Sequence, residues 1–220
     1  VTMLNGEVIP KPVQIQIIPY VSDFPNWPGV LFYDATPKWV YDKIDQENPN
    51  NPRPVVNGRK VGYLLKDNDY GAYAVMPMYD NATWREAYFE CVREFGKRFG
   101  NHPQVDSVVV TTGLDGETQP IKDYQGNWNS IVDATIPGLL FNFQRYVLWT
   151  IDAYREAFPN KPIFINNAPG GSGTRKSASD YAAKKDPPVG IKHAGMWVDL
   201  VGHQGYGTYT GSWDMVRAYS

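Results

Sequence analysis

The sequence predicts an α/β fold in which helices cover a parallel sheet. Four stretches, Val13–Tyr20, Val105–Thr112, Lys161–Asn167 and the weaker Val189–Lys192, are apolar and have the length of strands. Segments with helical periodicity lie in each interval between them. Strands that alternate with helices along the chain are typical of parallel sheets, so the order of these segments predicts the fold class.

The first strand is predicted over Val13–Tyr20, where β-branched residues lie between Pro12 and Pro19, and we expect it to be buried. Residues 21–78 are rich in Pro, Asn, Gly and Tyr and show no sustained periodicity. A loop of this length inside a compact domain is usually functional. We therefore expect residues 21–78 to form a long rim loop or lid, with short hairpins near residues 55–65.

The first predicted helix begins at Thr83, which forms the capping-box pattern with Glu86. The apolar residues that follow recur at helical spacing, and Gly100 is expected to end the helix in a left-handed conformation. Cys91 belongs to this apolar stripe. We interpret Cys91 as a small buried hydrophobic residue and not as a nucleophile, because no basic partner lies beside it in the sequence.

Two more helices are predicted. A long one runs from Ile136 to about Phe158, opened by Thr135 and Pro137, and a short one spans residues 177–185. No repeat, low-complexity tract or linker divides the chain. We expect residues 1–220 to form a single α/β domain.

Composition excludes several classes of partner. The 220 residues carry 21 basic and 23 acidic side chains, and this near balance argues against nucleic acid as the main ligand. No apolar stretch approaches the roughly 20 residues needed to cross a bilayer, so we expect no membrane span. The single Cys91 excludes an internal disulfide, and the three histidines are scattered (His102, His193, His203), so neither a metal nor a cofactor is expected.

The strand ends carry the candidate binding groups. In parallel α/β folds the ligand site lies at the carboxyl ends of the strands. Here these regions contain amides, carboxylates and aromatic rings, which suit a neutral polyhydroxylated ligand, and aromatic residues make up 14% of the chain. The predicted substrate-binding residues are Tyr20, Asp80, Asp115, Asn166, Asn167, Trp197 and His203.

Glu117 is the candidate catalytic residue. Gly113 and Gly116 allow a tight turn at the end of the second strand, which would project the Glu117 carboxyl into the site. Partial desolvation there would raise its pKa toward that of a useful general acid. The alternative is that Glu117 is a solvated loop carboxylate or a helix-cap partner. For Asp115 we favour a turn position or a contact to a ligand hydroxyl over a second catalytic carboxylate.

Several motifs in the middle of the chain point to one enzyme class. They are Met76-Pro-Met-Tyr-Asp80, the helix from Thr83, Arg98-Phe-Gly-Asn-His-Pro103, and the strand from Val105 that ends in Gly113-Leu-Asp-Gly-Glu117. Over residues 74–120 the chain resembles the (β/α)8-barrel glycoside hydrolases of the large retaining superfamily, especially the β-galactosidase-like members. The resemblance implies a TIM-type barrel, hydrolysis of a glycosidic bond, and Glu117 as the acid/base at the end of barrel strand four.

The chain departs from that family in two respects. Gly116 stands where the commonest superfamily signature has Asn before the glutamate, and the turn also looks like that of the inverting β-amylases. A complete barrel typically needs about 250 residues. We therefore expect only the central strands of a barrel here, with the second glutamate beyond Ser220. Asp199 and Asp214 are the late acids inside the chain, and we interpret both as loop or cap residues.

Three functions remain open from the sequence. The leading one is a glycosidase acting on an oligo- or polysaccharide in an extracellular or cell-surface location. The second is a non-catalytic carbohydrate-binding or surface-layer protein on a degenerate barrel. The third is an unrelated parallel α/β enzyme, which predicts an open sheet. Partners inside the assembly are expected to be the remainder of the same polypeptide or a second copy.

Overall fold

In the computed structural model, the chain is arranged around a four-stranded parallel sheet. The structure describes residues 2–4, 7–9, 11–22, 29–67, 71–122, 128–167 and 172–193. The strands are β1 (Thr2–Leu4), β2 (Glu7–Ile9), β3 (Val13–Gln16), β4 (Tyr20–Val21), β5 (Tyr33–Asp34), β6 (Val55–Val56), β7 (Arg59–Lys60), β8 (Tyr63–Lys66), β9 (Tyr73–Met76), β10 (Val105–Val110), β11 (Ile163–Asn167) and β12 (Gly190–His193). The helices are α1 (Lys38–Glu47), α2 (Ala82–Phe99), α3 (Trp128–Thr135), α4 (Leu139–Ala157) and α5 (Ser172–Ala183), with a 3₁₀ turn at Leu114–Gly116.

The parallel sheet has the order β3-β10-β11-β12, so each strand lies beside the next one of the set along the chain. All three pairings are parallel. The helices α2, α4 and α5 connect these strands, and α2 packs on α4, which packs on α5. The predicted mixed α/β fold with a parallel sheet is confirmed. In the described parts of the chain, four antiparallel pairs add to it: β1-β2, β4-β5, β6-β7 and β8-β9.

The first strand differs from its prediction. It ends at Gln16, and Tyr20 belongs to the separate strand β4, which pairs with β5. β3 pairs only with β10 among the described strands, and the Val13 side chain is 49% exposed. The prediction of a buried strand over Val13–Tyr20 was therefore wrong, because apolar composition does not reveal that a strand lies at the edge of a sheet.

The segment 21–78 holds more structure than the predicted rim loop. It contains α1 and the hairpins β6-β7 and β8-β9, of which β6-β7 and the start of β8 lie where short hairpins were expected. Tyr41 and Ile44 of α1 and Leu65 of β8 are fully or almost fully buried. The buried Asp34 carboxylate binds this segment together, accepting hydrogen bonds from the Thr36 and Gly62 backbone amides and from the Tyr41 hydroxyl. The helix was missed because its apolar residues are few and neighbouring.

Helix α2 begins with a different cap from the one predicted. Asn81 is the N-cap, and its side-chain oxygen accepts a hydrogen bond from the Trp84 backbone amide at 3.0 Å. Thr83 instead bonds through its hydroxyl to the Glu47 carboxylate. Gly100 ends the helix in a right-handed conformation, not the left-handed one expected. Asn81 takes the cap position in place of Thr83 because Asn is the more strongly preferred N-cap residue of the two.

Cys91 is exposed, so its interpretation as a buried residue was wrong. It lies on α2 at the edge of an apolar cavity of about 330 Å³, which is also lined by Ile17, Trp39, Trp84 and Tyr88. Burial of part of the side chain raises the pKa of the Cys91 thiol. That shift lowers the thiolate fraction and agrees with the view that Cys91 is not a nucleophile.

The two helices predicted after β10 lie near their expected positions, but their ends differ from the predicted ones. The predicted helix over Ile136–Phe158 corresponds to α4, which begins at Leu139 after a left-handed Gly138. The shorter helix α3, which ends at Thr135, was not predicted, and a break separates it from α4. The predicted short helix starts earlier, at Ser172. The break is explained by Pro137, which lacks an amide donor, and by the left-handed glycine that follows.

Aromatic residues fill the core between the sheet, α2 and α4. Tyr79 packs edge-on against Phe143 and Trp84 with ring centroids 4.9 and 5.4 Å apart, and Tyr146 is also fully buried there. A substantial part of the aromatic excess is thus structural, which weakens its use as an argument for sugar binding. None of the described helices is long and apolar enough to cross a membrane.

Candidate functional site

The Glu117 carboxyl follows the carboxyl end of β10, on a tight turn that contains Gly113 and Gly116. Asp115 and Gly116 both adopt left-handed conformations, with φ of 54° and 77°. A Cβ at Gly113 would lie 1.7 Å from the Gln119 carbonyl oxygen, so this position has no room for a side chain. The Gly113 amide donates to the Glu117 carbonyl at 2.8 Å and closes the turn. The predicted glycine turn at the strand end is confirmed.

Glu117 is a buried acid with an elevated pKa. Its side chain is 8% exposed, and burial raises the pKa from 4.5 to about 7. The positive charge of Lys122 and a 2.5 Å hydrogen bond from Gln119 act in the opposite direction, while the negative charge of Asp115 raises the pKa further. A carboxyl in this state can give or accept a proton near neutral pH, as a general acid or base must.

Asp115 has both carboxylate oxygens engaged by other protein groups. Oδ1 accepts a 2.7 Å hydrogen bond from the Ser22 amide, and Oδ2 accepts a 2.6 Å bond from the Ser22 hydroxyl and the ammonium of Lys122. These contacts hold the pKa of Asp115 below its usual value even though burial opposes them. Of the two predicted roles, the turn position agrees with the structure, and a contact to a ligand hydroxyl stays a prediction.

Asn166 and Asn167 lie at the end of the neighbouring strand. The Thr118 amide donates to the Asn166 carbonyl at 3.1 Å, which joins the Glu117 turn to β11. The Asn167 side chain donates to Ser179 of α5 and therefore faces the helices. Adjacent residues of a strand point to opposite faces, so Asn166 faces away from the helices.

The side-chain oxygen of Asn166 accepts no hydrogen bond from the described residues. The Asn166 side chain is 5% exposed, and its Oδ1 is buried without a partner among those residues. The same is true of Asn167 Oδ1. A buried acceptor without a partner is costly, so a donor from a bound ligand would be favourable at Asn166.

The other predicted binding residues have different surroundings. Tyr20 is fully buried and its hydroxyl donates to the Val75 carbonyl at 2.5 Å, so no ring face is exposed for stacking on a sugar. Asp80 accepts hydrogen bonds of 2.8 and 3.0 Å from the Tyr63 hydroxyl, at the start of α2. The remaining candidates lie outside the described residues: Trp197, His203, Asp199 and Asp214.

The face of the sheet opposite α5 brings together polar residues that were not predicted from the sequence. Gln14 of β3 donates to the Ser107 hydroxyl of β10 at 2.9 Å, and Lys192 of β12 lies 3.5 Å from Gln14 Oε1. Gln16 lies beneath the Glu117 turn, since a Cβ at Gly116 would be 2.9 Å from its Nε2. The alternation of Gln with Ile over residues 14–17 was the available signal, because period-two polarity places one polar face on a strand.

Comparison with family models and with curated proteins supplies no function for this arrangement. No family model matches the chain, and no curated protein matches it. Within the described ranges, no three His, Cys, Asp or Glu side chains are grouped so that they could hold a metal ion. Glu117 and its neighbours are the groups that could carry out chemistry at this site.

Proposed function

We propose that the protein is a glycoside hydrolase in which Glu117 is the general acid/base. The observation that carries the proposal is a single carboxyl, buried at the end of a central parallel strand, whose pKa is raised to about 7. An acid with such a pKa is protonated in a large fraction of molecules at neutral pH. It can therefore protonate a glycosidic oxygen and afterwards remove a proton from the attacking water.

The neighbouring groups have supporting roles in this proposal. Asn166 accepts a hydrogen bond from a sugar hydroxyl through its unpartnered oxygen, and Gln119 holds the Glu117 carboxyl in place. The substrate is an oligo- or polysaccharide met outside the cell or at its surface. Glycoside hydrolysis needs a second carboxyl group, and Asp115 does not qualify because Lys122 and Ser22 occupy it.

We also propose that the parallel sheet belongs to a TIM-type barrel. The strand order is sequential and the helices that connect the strands pack on one another in the same sequence, as they do in barrels. Lys192 and Gln14 are on the two edge strands of the sheet, three strand spacings or roughly 14 Å apart if the sheet were flat. The ends of these two long side chains lie 3.5 Å apart, which supports a sheet that curves around its polar face.

A cross-linking experiment tests the curvature. Gln14→Cys and Lys192→Cys would be combined in a Cys91→Ala background and treated with a short thiol–thiol cross-linker. A curved sheet predicts rapid intramolecular cross-linking. A flat, open sheet predicts none, and that result would favour the unrelated α/β enzyme considered from the sequence.

The catalytic proposal is tested with Glu117→Gln. Hydrolysis would be measured for 4-nitrophenyl glycosides and for oligosaccharides of the same sugars, with Glu94→Gln on α2 as the control because Glu94 is exposed. Loss of a general acid should reduce turnover of oligosaccharides by about 10² to 10⁴-fold. The reduction should be smaller for nitrophenyl glycosides, whose leaving group needs less protonation. Equal turnover by Glu117→Gln and the wild type would refute the assignment.

One observation favours a second function, a carbohydrate-binding protein without catalysis. Asp115 is the acidic residue that acts electrostatically on Glu117 within the described part of the chain, and it is already paired. A site with one usable carboxyl binds hydroxyls but does not hydrolyse by the usual two-carboxylate route. Saturable binding of an oligosaccharide by the wild type, with no hydrolysis over days, would establish this second function.

A further inference from the structure

An ion pair between Asp115 and Lys122 flanks the candidate acid Glu117 in the sequence. The Asp115 and Lys122 side chains are 25% and 19% exposed, so their charges are only partly screened by water. Asp115 also receives both hydrogen bonds of Ser22, which comes from a segment 93 residues earlier in the sequence. The pair therefore connects three segments, those of Ser22, the Glu117 turn and Lys122, at one point.

The turn depends on this connection. Asp115 adopts a left-handed conformation, which costs a non-glycine residue on the order of 1 kcal/mol or more. Its carboxylate is held by one ionic and two neutral donors, which offset that cost. Glu117 follows two residues later, so the direction of its side chain is set by the conformation that these contacts maintain.

We propose that Asp115 and Lys122 are positioning residues for Glu117, and that their opposite charges together determine when its carboxyl releases the proton. The link to hydrolysis rests on the proposed function of Glu117. The effect on its proton does not, because it requires only that the three side chains be neighbours.

The two charges act on Glu117 in opposite senses. Lys122 stabilises the carboxylate form and lowers the Glu117 pKa, whereas Asp115 destabilises that form and raises the pKa. These are the charged groups that act on Glu117 among the described residues, and the donor that its carboxyl accepts from, the Gln119 side chain, is uncharged. While both members are present, each offsets the other and burial dominates.

This opposition separates the proposal from a purely structural role. If the pair only held the turn, removal of either partner would loosen it and expose Glu117, so its pKa would fall toward 4.5 in both variants. If the charges act directly, Lys122→Met should raise the Glu117 pKa and Asp115→Asn should lower it. The sign of the change in Lys122→Met is therefore decisive.

The experiment is a titration of the Glu117 carboxyl carbon by NMR, with ¹³C-labelled glutamate and the signal assigned by its loss in Glu117→Gln. We expect a midpoint near 7 in the wild type, a higher one in Lys122→Met and a lower one in Asp115→Asn. The double variant should return toward the wild-type midpoint. Lys122→Arg keeps the charge and should remain close to the wild type.

Ser22→Ala is the matched control, because it removes one neutral hydrogen bond from Asp115 without changing any charge. A midpoint that falls or stays unchanged in Lys122→Met would overturn the proposal. If Lys122→Met does not fold, the comparison of Asp115→Asn with Ser22→Ala tests the proposal. A Glu117 midpoint that falls by the same amount in both variants would contradict a direct effect of the Asp115 charge.

The pH dependence of hydrolysis separates this proposal from the proposed function. If Glu117 is the acid, the alkaline limb of kcat/KM should move up in Lys122→Met and down in Asp115→Asn, following the NMR midpoints. NMR midpoints that move without the alkaline limb would support the ion-pair proposal and contradict the catalytic one.

Discussion

The Gln119 side chain donates a 2.5 Å hydrogen bond from Nε2 to Oε2 of Glu117. The backbone carbonyl of Gln119 accepts a hydrogen bond from the Leu114 backbone amide, so Gln119 is fixed to the same turn that carries Glu117. A neutral donor of this kind stabilises the charged carboxylate without adding a charge. Gln119 therefore limits how far burial can raise the Glu117 pKa.

Gln119→Met should raise the Glu117 pKa above its value of about 7, because the carboxylate loses a donor while its burial remains. The midpoint of the Glu117 carboxyl signal in a pH titration measures this. Met has a similar length and keeps the site closed to water. A lower midpoint would mean that burial depends on the Gln119 amide itself.

The stability of the fold should depend on pH through Glu117. The folded-state pKa is raised, so the folded protein binds this proton more tightly than the unfolded chain. The resulting stability is complete below pH 4.5 and is lost as the pH rises to about 7. The side chain introduced by Glu117→Gln does not titrate. The free energy of unfolding of this variant should therefore rise relative to that of the wild type, by up to about 3 kcal/mol, between pH 4.5 and pH 8. Urea unfolding at both pH values measures the gain, and a constant difference between the two proteins would contradict it.

Gly116→Ala should destabilise the protein and disturb Glu117. The left-handed conformation costs an alanine roughly 1 to 2 kcal/mol, and its Cβ would lie 2.8 Å from Thr111 Cγ2. Gly138→Ala is the matched control, since Gly138 has a similar φ but nothing within 4 Å of the added Cβ. Chemical unfolding should therefore show a larger loss for Gly116→Ala. An equal loss in both variants would mean that the Thr111 side chain moves aside freely.

Asn81→Ala should cost about 1 kcal/mol of stability by removing the cap of α2. Thr83→Ala removes only an exposed contact to Glu47 and should change the free energy of unfolding by less than about 0.5 kcal/mol. Thermal or urea unfolding of the two variants measures the difference. The reverse order would restore the capping box that the sequence predicts.

Local patterns explain how much of the fold could be predicted. The strands β10 and β11 and the helix α2 are regular in composition and period, and they were placed within a few residues of their observed ends. Helix α1 was missed because its apolar residues, Trp39, Val40, Tyr41 and Ile44, do not repeat over several turns. The burial of Cys91 was misjudged because an apolar stripe shows which residues share a helix face but not how far the neighbouring elements cover it.

The candidate site was also predicted only in part, because only some of its residues have local signals in the sequence. Glu117 was found because two glycines and a preceding apolar strand are local signals. Tyr20 was misread, because a tyrosine that follows a strand has the same sequence signal whether its ring is exposed or fully buried. Lys122 and Gln119 were not singled out, since nothing in their sequence surroundings indicates which carboxylates they contact.

The sequence by itself determined that strands and helices alternate and that a glutamate follows a glycine turn at a strand end. Both are short-range properties, set by backbone preferences and by the spacing of apolar residues. Only the tertiary structure decided that Glu117 is desolvated while Asp115 stays ionised and paired with Lys122, although the two acids lie two residues apart. The physical reason is that the state of a carboxyl depends on the water it loses and the charges it meets. For Asp115 those partners include Ser22, which is 93 residues away along the chain.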